Sequence, residues 1–312
     1  MAEAQTHSVV SAGFTAVDLM LGDSMTMTPG GTATNVCQAL GSMGWMARLV
    51  GTVGSDPAGS FLREELEREA VNVDHLLLDE DWTTPIVLQE RQGNDHVWRF
   101  RCPHCNTRYA KSRPAPVAAA QVLLDAIPTP DVFFFDRTSL FSLRLATHWA
   151  ELGSFVVFEP AGLGRPHLFA QALRVAHLVK YSSERAPAFR AYLEDTTAAL
   201  VDTNGAAGVR FRAADREDWF EAPAYSANAV VDTAGAGDWT TAGIVRSLVS
   251  DDGRSPVESV GDVGRLRAAV DAGQQLGVLA CTWRGVRPTA PAELPIEQLV
   301  TFSCPLGVRA AM

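Results

Sequence analysis

Short apolar runs alternate with helix-spaced ones through the middle of the chain. Val132–Phe135, Phe155–Phe158, Leu178–Tyr181 and Ala199–Thr203 are brief, mostly apolar blocks. Such blocks, apolar without alternation, are what strands of a parallel sheet buried on both faces require. Between them, Leu140–Leu152, Leu168–Val175 and Ala186–Leu193 carry apolar residues at helical spacing. The alternation predicts right-handed βαβ units wound into one doubly wound, mostly parallel sheet with helices on both faces, an α/β fold.

Further helices are predicted where Val36, Ala39, Leu40 and Met43 recur at helical spacing, and again at Phe61, Leu62, Leu66 and Ala70. The C-terminal third adds Trp239, Ala242, Val245 and Val249, then Leu266, Val270, Gly273 and Gly277. Thr84–Arg101 breaks the rhythm. There Ile86-Val87-Leu88 and Val97-Trp98-Arg99-Phe100 flank Gly93-Asn94-Asp95, the pattern of a β-hairpin standing off the main sheet as a flap.

Composition narrows the class. A chain of 312 residues without repeat or low-complexity linker is read as one domain over 1–312. The balance of 26 basic against 36 acidic residues gives a net charge of −10, which argues against a nucleic-acid surface. No apolar run reaches the roughly 18 residues that span a membrane. Met1–His7 lacks a basic region followed by an apolar block, so no signal peptide is expected. Five cysteines in a chain this long do not suggest a disulfide framework, and a cytoplasmic setting is the simplest expectation.

The strongest chemical signal is Asp232-Thr233-Ala234-Gly235-Ala236-Gly237-Asp238, after Val230-Val231 and before an amphipathic helix. Its glycines allow close backbone approach, and the helix they open offers free N–H groups to an anion. An Asp at the end of such a loop sits where a phosphate and an attacking hydroxyl would meet, and can take the hydroxyl's proton. The plain alternative is a glycine turn with Asp238 as a helix cap. No Gly-Lys-Ser/Thr follows, so this is not a Walker loop.

This run resembles the C-terminal signature of the PfkB carbohydrate kinase family, the ribokinase-like sugar and nucleoside kinases. Gly30-Gly31-Thr32-Ala33-Thr34-Asn35, continuing through Leu40-Gly41 and Gly44, is similar to the family's N-terminal signature. Val50-Gly51-Thr52-Val53-Gly54-Ser55-Asp56-Pro57-Ala58-Gly59 follows in the family's style. The resemblance covers about Val9 to Pro288 and implies a ribokinase-like fold, ATP and Mg²⁺ as cofactors, and transfer of the γ-phosphoryl group to a sugar or nucleoside hydroxyl. A non-catalytic ligand-binding or regulatory member is the alternative. The resemblance makes Asp238 the base and Gly235, Ala236 and Gly237 its anion hole. Thr203-Asn204-Gly205, Lys180 and Asp232 fall on the nucleotide side. Where the family has Asn-x-x-Glu, this chain reads Ser182-Ser183-Glu184-Arg185, which leaves Glu184 as the candidate for Mg²⁺ through water.

On the acceptor side the resemblance implies Asp18, Gly30, Gly31 and Asn35 as substrate-binding residues, with Asp18 following Val17 on the first strand pattern. Asn35 as a plain helix cap is the other reading. The resemblance also makes the hairpin part of a small β-lid, from segments near 12–30 and 83–112, through which a homodimer would form. Phe158-Glu159-Pro160-Ala161-Gly162 departs from the Asp-x-Asn common in relatives, and Trp98, Phe100 and His104 could stack on a ring or pack the lid. Cys102-Pro103-His104-Cys105 is unexplained by the family. Two thiolates on one turn are half of a structural Zn²⁺ site, which two lids meeting in a dimer could complete. A redox pair and two unrelated cysteines are the competing readings, with Cys37, Cys281 and Cys304 isolated in sequence.

Overall fold

The computed structural model describes residues 6–21, 25–92, 95–227, 229–249 and 253–307. β1 (Ser8–Ala12) starts the main sheet; β2 (Ala16–Leu21) and β3 (Met25–Gly30) leave it, and α1 (Thr32–Ser42) returns to β4 (Met46–Gly54). α2 (Pro57–Arg68), β5 (Val71–Asn72) and β6 (Leu76–Asp79) follow, and β7 (Ile86–Gln92) and β8 (Asp95–Arg99) leave again. After α3 (Val117–Ala126) come β9 (Val132–Phe135), α4 (Leu140–Glu151), β10 (Phe155–Phe158), α5 (Pro166–Val175) and β11 (Leu178–Ser182). Next are α6 (Arg190–Leu193), β12 (Ala199–Thr203) and the pair β13 (Val209–Arg212) and β14 (Phe220–Ala222). α7 (Ala236–Leu248), α8 (Pro256–Ser259), α9 (Val263–Ala280), β15 (Ala292–Leu294) and α10 (Leu299–Ser303) complete the order.

The main sheet runs β14-β13-β12-β11-β10-β9-β1-β4-β5, with β6 also on β4. Every pair from β12 to β5 is parallel, and β13 and β14 add an antiparallel edge. The chain proceeds from β1 to one side and from β9 to the other, so the winding reverses between these two neighbours. Ligand crevices in such sheets lie outside the carboxyl ends of the strands at this reversal.

Both faces are covered, as the apolar runs require. On β9, Val132 and Phe134 join the core beneath α1, α2, α7 and α9, while Phe133 and Phe135 join the one beneath α3, α4 and α5. All four are fully buried. At about 1.5–3 kcal/mol for each large apolar side chain, these central strands fix the sheet before any polar contact is counted. Asp56 caps α2 by accepting from the Gly59 amide at 2.8 Å, and its other oxygen accepts from the Thr84 amide at 2.7 Å. One carboxylate thereby joins a helix start to the segment entering β7.

A second sheet stands off the first in the order β15-β3-β2-β7-β8, with β2 and β7 parallel. The hairpin expected over 84–101 is β7 and β8, paired from Leu88↔Arg99 to Gln92↔Asp95; Gly93 and Asn94 of its turn lie outside the described residues. β15, from near the C-terminus, joins this sheet against β3. Asp18 therefore lies on the second strand, in the small sheet, because Ser8–Ala12 supplies the first.

Other expectations need correction. Ala186–Leu193 is a 3₁₀ turn at Ala186–Ala188 and a single turn of α-helix, because Pro187 cannot donate a helix hydrogen bond. Ala70 lies beyond α2 with φ of 59°, so the helix stops before the periodicity does. Among the described residues no helix is long and apolar enough to cross a membrane.

α7 and α9 pack backbone to backbone along a glycine seam. A Cβ on Gly273 would lie 2.6 Å from both the Thr240 carbonyl oxygen and Ile244. Gly273→Ala should therefore destabilise by about 1–3 kcal/mol through overpacking, against the roughly 1 kcal/mol that alanine gains in helix propensity. Thermal or urea unfolding measures the balance. A variant as stable as the parent would show that the helices do not meet here.

Candidate active site

Gly235 ends the loop before α7 with φ of 76°, and a Cβ there would fall 2.3 Å from Val286. Only a residue without a side chain fits both demands. The turn sets Ala236, Gly237 and Asp238 as the first turn of α7, whose leading amides have no partner within the helix. Asp238 stands on this turn, half-buried, and accepts a 2.6 Å hydrogen bond from Asn35 Nδ2 on α1. The two signature motifs, 203 residues apart, thus meet at one carboxylate. Burial, followed by the nearby Glu159 charge, pushes Asp238 up to about 7, against the opposing pull of Lys180 and the Asn35 hydrogen bond.

Lys180 and Glu159 lie beneath. Glu159 follows β10, Lys180 lies in β11, and their buried ion pair is 2.6 Å long. Lys180 Nζ also donates to the Gly237 carbonyl at 3.0 Å, and Thr241 donates to the other Glu159 oxygen at 2.6 Å. Lys180 is thus held under the glycine loop. The sequence marked Glu159 only as a departure; that Lys180 and Thr241 face it was not visible there.

Asp18 is buried on β2 against Gly30, where a Cβ would come within 2.3 Å of its carboxylate. Burial pushes Asp18 up to about 7, opposed by the Arg287 charge. Gly31 caps α1 beside the Phe14 carbonyl. Asn35 lies inside α1, its amide bonded to the Gly31 carbonyl, so it is not the helix cap. Its Oδ1 is buried and has no hydrogen-bond partner among the described residues.

Asp136 was not anticipated. It follows β9, accepts from the Phe14 amide at 2.7 Å, and pairs with Arg137 at 2.6 Å. Burial raises it above the ordinary carboxylate range, with Arg137 opposing. A cavity of about 440 Å³ opens here, at the β1/β9 reversal, and runs beneath the small sheet. Gly13, Phe14, Pro85, Phe100, Arg108 and Arg137 are among its walls. Trp98 and His104 are exposed and do not line it.

On the other side of the loop, Thr203 ends β12 and Gly205 starts the next turn with φ of 52°. Ser183 donates to the Thr203 carbonyl at 2.9 Å, which sets the exposed Glu184 on the neighbouring rim. Asp232 accepts from the Ala234 amide at 2.9 Å and the Gly285 amide at 3.0 Å. Its oxygens shape the loop from behind. Cys304 is not isolated: its Sγ lies 3.4 Å from that of Cys105.

The chain matches the family described as pfkB family carbohydrate kinase over residues 4–293. It is 26% identical to a fructokinase of Salmonella typhimurium, covering 86% of this chain and 91% of that one. It is 25% identical to the aminoimidazole riboside kinase of Salmonella typhimurium, covering 91% and 90%. A structure of fructokinase from Xylella fastidiosa with bound ATP superposes with a TM-score of 0.72, at 19% identity over 89% of this chain and 93% of that one. Two signatures joined at Asp238, a doubly wound sheet and a match over nearly the whole length lead to one conclusion: the chain belongs to the pfkB family of carbohydrate kinases.

Proposed function

We propose that this kinase transfers the γ-phosphoryl group of ATP to a hydroxyl of a sugar or nucleoside, with Asp238 as general base. The observation that carries the reading is the position of Asp238, on a glycine-opened helix start, hydrogen-bonded to Asn35. The acceptor enters by the cavity at the β1/β9 reversal, whose wall holds Arg137. It reaches Asp18 at Gly30 and Asn35 at Asp238, which lie outside that wall. Orientation of its hydroxyls supplies much of the rate in phosphoryl transfer. Asp238 takes the attacking hydroxyl's proton. The first-turn amides of α7 with Gly235, Ala236 and Gly237 bind the charge on the transferring group.

The nucleotide lies along Thr203 and Gly205, and Lys180 and Asp232 act from behind by fixing the loop. Mg²⁺ fits Glu184, an exposed carboxylate on the rim beside Thr203, through a water contact of the kind Mg²⁺ favours. When bound, the ion would neutralise phosphate charge. The small sheet acts as a lid that keeps competing water from the phosphoryl group. Exposed Trp98 on edge strand β8 and Phe100 just beyond it support pairing of lids in a homodimer. A cytoplasmic location agrees with free cysteines and an ATP requirement. A non-catalytic role is disfavoured because Asp238, bonded to Asn35, stands on a glycine-opened helix start, as a base beside an anion hole would require.

Three outcomes test this reading. Asp238→Asn keeps the loop's shape but removes the base, so kcat should fall about 10²–10⁴-fold while KM for ATP changes little. A variant retaining a tenth of the activity or more, roughly ten times above that range, would remove Asp238 from the role. The base must be ionised and its carboxyl is raised to about 7, so kcat/KM should climb with pH along an acid limb centred near there. A limb centred near about 4, the ordinary carboxylate value, would contradict it. Asp18→Ala should raise KM for the acceptor at least about tenfold through lost charge-assisted hydrogen bonds, and leave KM for ATP unchanged. A parallel rise in both constants would make Asp18 a folding residue.

A further inference from the structure

The turn at Cys102–Cys105 has a third thiol facing it. The Sγ atoms of Cys102, Cys105 and Cys304 all lie within 4.8 Å of one another, although Cys304 is 199 residues from Cys105. Cys102 and Cys304 are buried, and Cys105 is half-buried. The turn is tightly closed. Cys102 N–H donates to the Thr107 carbonyl at 2.9 Å, Asn106 N–H to the Cys102 carbonyl at 2.8 Å, and Tyr109 N–H to the Phe100 carbonyl at 3.0 Å. Asn106, next after the second cysteine, is left-handed with φ of 54°. Cys304 is fixed by the end of α10, where its amide bonds the Leu299 and Val300 carbonyls.

We propose that Cys102, Cys105 and Cys304 of a single chain bind one Zn²⁺ ion, which fastens the end of the β7–β8 hairpin to the C-terminal helix α10. Tetrahedral Zn²⁺ with bonds of about 2.3 Å spaces its sulfurs roughly 3.8 Å apart, between the 3.4 Å that separates Cys105 and Cys304 and the 4.8 Å that bounds the set. A disulfide joins two sulfurs at about 2.05 Å and would leave the third thiol over. Thiolate-rich tetrahedral sites select Zn²⁺ among non-redox ions. A fourth ligand would come from solvent, since His104 between the two cysteines is exposed. Tyr109 is buried beside Cys102 and Ser303, and its hydroxyl has no hydrogen-bond partner of good geometry among the described residues. A metal-bound thiolate gives that O–H an acceptor.

The brace has a structural consequence. Tyr109 and Arg108 line the cavity of the candidate site, and α10 packs on α2 through Phe302 against Phe61. The ion would thus hold one wall of the cavity to the body of the protein. The proposal stands on the cysteine geometry and is independent of the kinase reading.

Metal analysis of untagged protein, purified without chelator, tests it. We expect about one Zn²⁺ per chain, since one chain supplies all three thiolates, and about zero in Cys105→Ser and Cys304→Ser. Cys281→Ser should keep its metal. Chelation should lower the melting temperature of the parent but not of Cys304→Ser, because only the former has a bound ligand to lose. Three results would overturn the proposal. One is purified protein that takes up no equivalent of Zn²⁺ on titration. Another is one Zn²⁺ for every two chains, which marks a shared site. The third is a Cys105–Cys304 disulfide in metal-free protein prepared without reductant.

Discussion

The site depends on one buried ion pair. Lys180 and Glu159 belong to adjacent strands, β11 and the end of β10, and both reach α7, through the Gly237 carbonyl and the Thr241 hydroxyl. The pair therefore sets the height and rotation of the helix that carries Asp238. Losing either partner would leave an uncompensated charge in the interior, at a cost of about 3–5 kcal/mol. Such a pair is poor evidence of net stability. It is good evidence of position, because few arrangements satisfy its hydrogen bonds together.

The same pair shapes the electrostatics above it. Asp136, Glu159 and Asp238 lie about the reversal and the loop, and Asp18 at Gly30, in a protein of net charge −10. Asp18 has the Arg287 charge nearby, Asp136 is bonded to Arg137, and Glu159 to Lys180. Asp238 has the neutral amide of Asn35 as its hydrogen-bond partner. With Lys180 already bonded to Glu159, the opposing pull on Asp238 is incomplete, and burial keeps it near neutrality. A carboxylate left in that state is a better proton acceptor near neutral pH than one held by its own cation.

The small sheet shows how little of a surface element is local. Its strands come from Ala16–Gly30, Ile86–Arg99 and Ala292–Leu294, and its parallel β2–β7 pair joins segments that no turn connects. Asp18 and Gly30 are placed by this sheet, so their positions depend on pairings made at long range. The chain's last strand closes one edge, and Cys304 reaches the other end of the same sheet.

The sequence by itself determined the alternating core strands, most long helices and the glycine loop. Each is written in local chemistry: apolar runs that must be covered on both faces, helical spacing, and glycines where a side chain would collide. Through the resemblance to a family it also led to the expectation that the motifs of Asn35 and Asp238 act together, and the two side chains do meet. Tertiary structure alone decided what those residues touch. Periodicity cannot say that Lys180 faces Glu159, that Asp136 closes the reversal beside Gly13, or that Asn35 holds Asp238 from inside a helix. Cys304 is the plainest case. It is one unremarkable residue near the end of the chain, and only the packing of α10 against the body places its sulfur 3.4 Å from Cys105. Sequence specifies what each segment must bury; which buried groups become neighbours is settled when the segments compete for the same space.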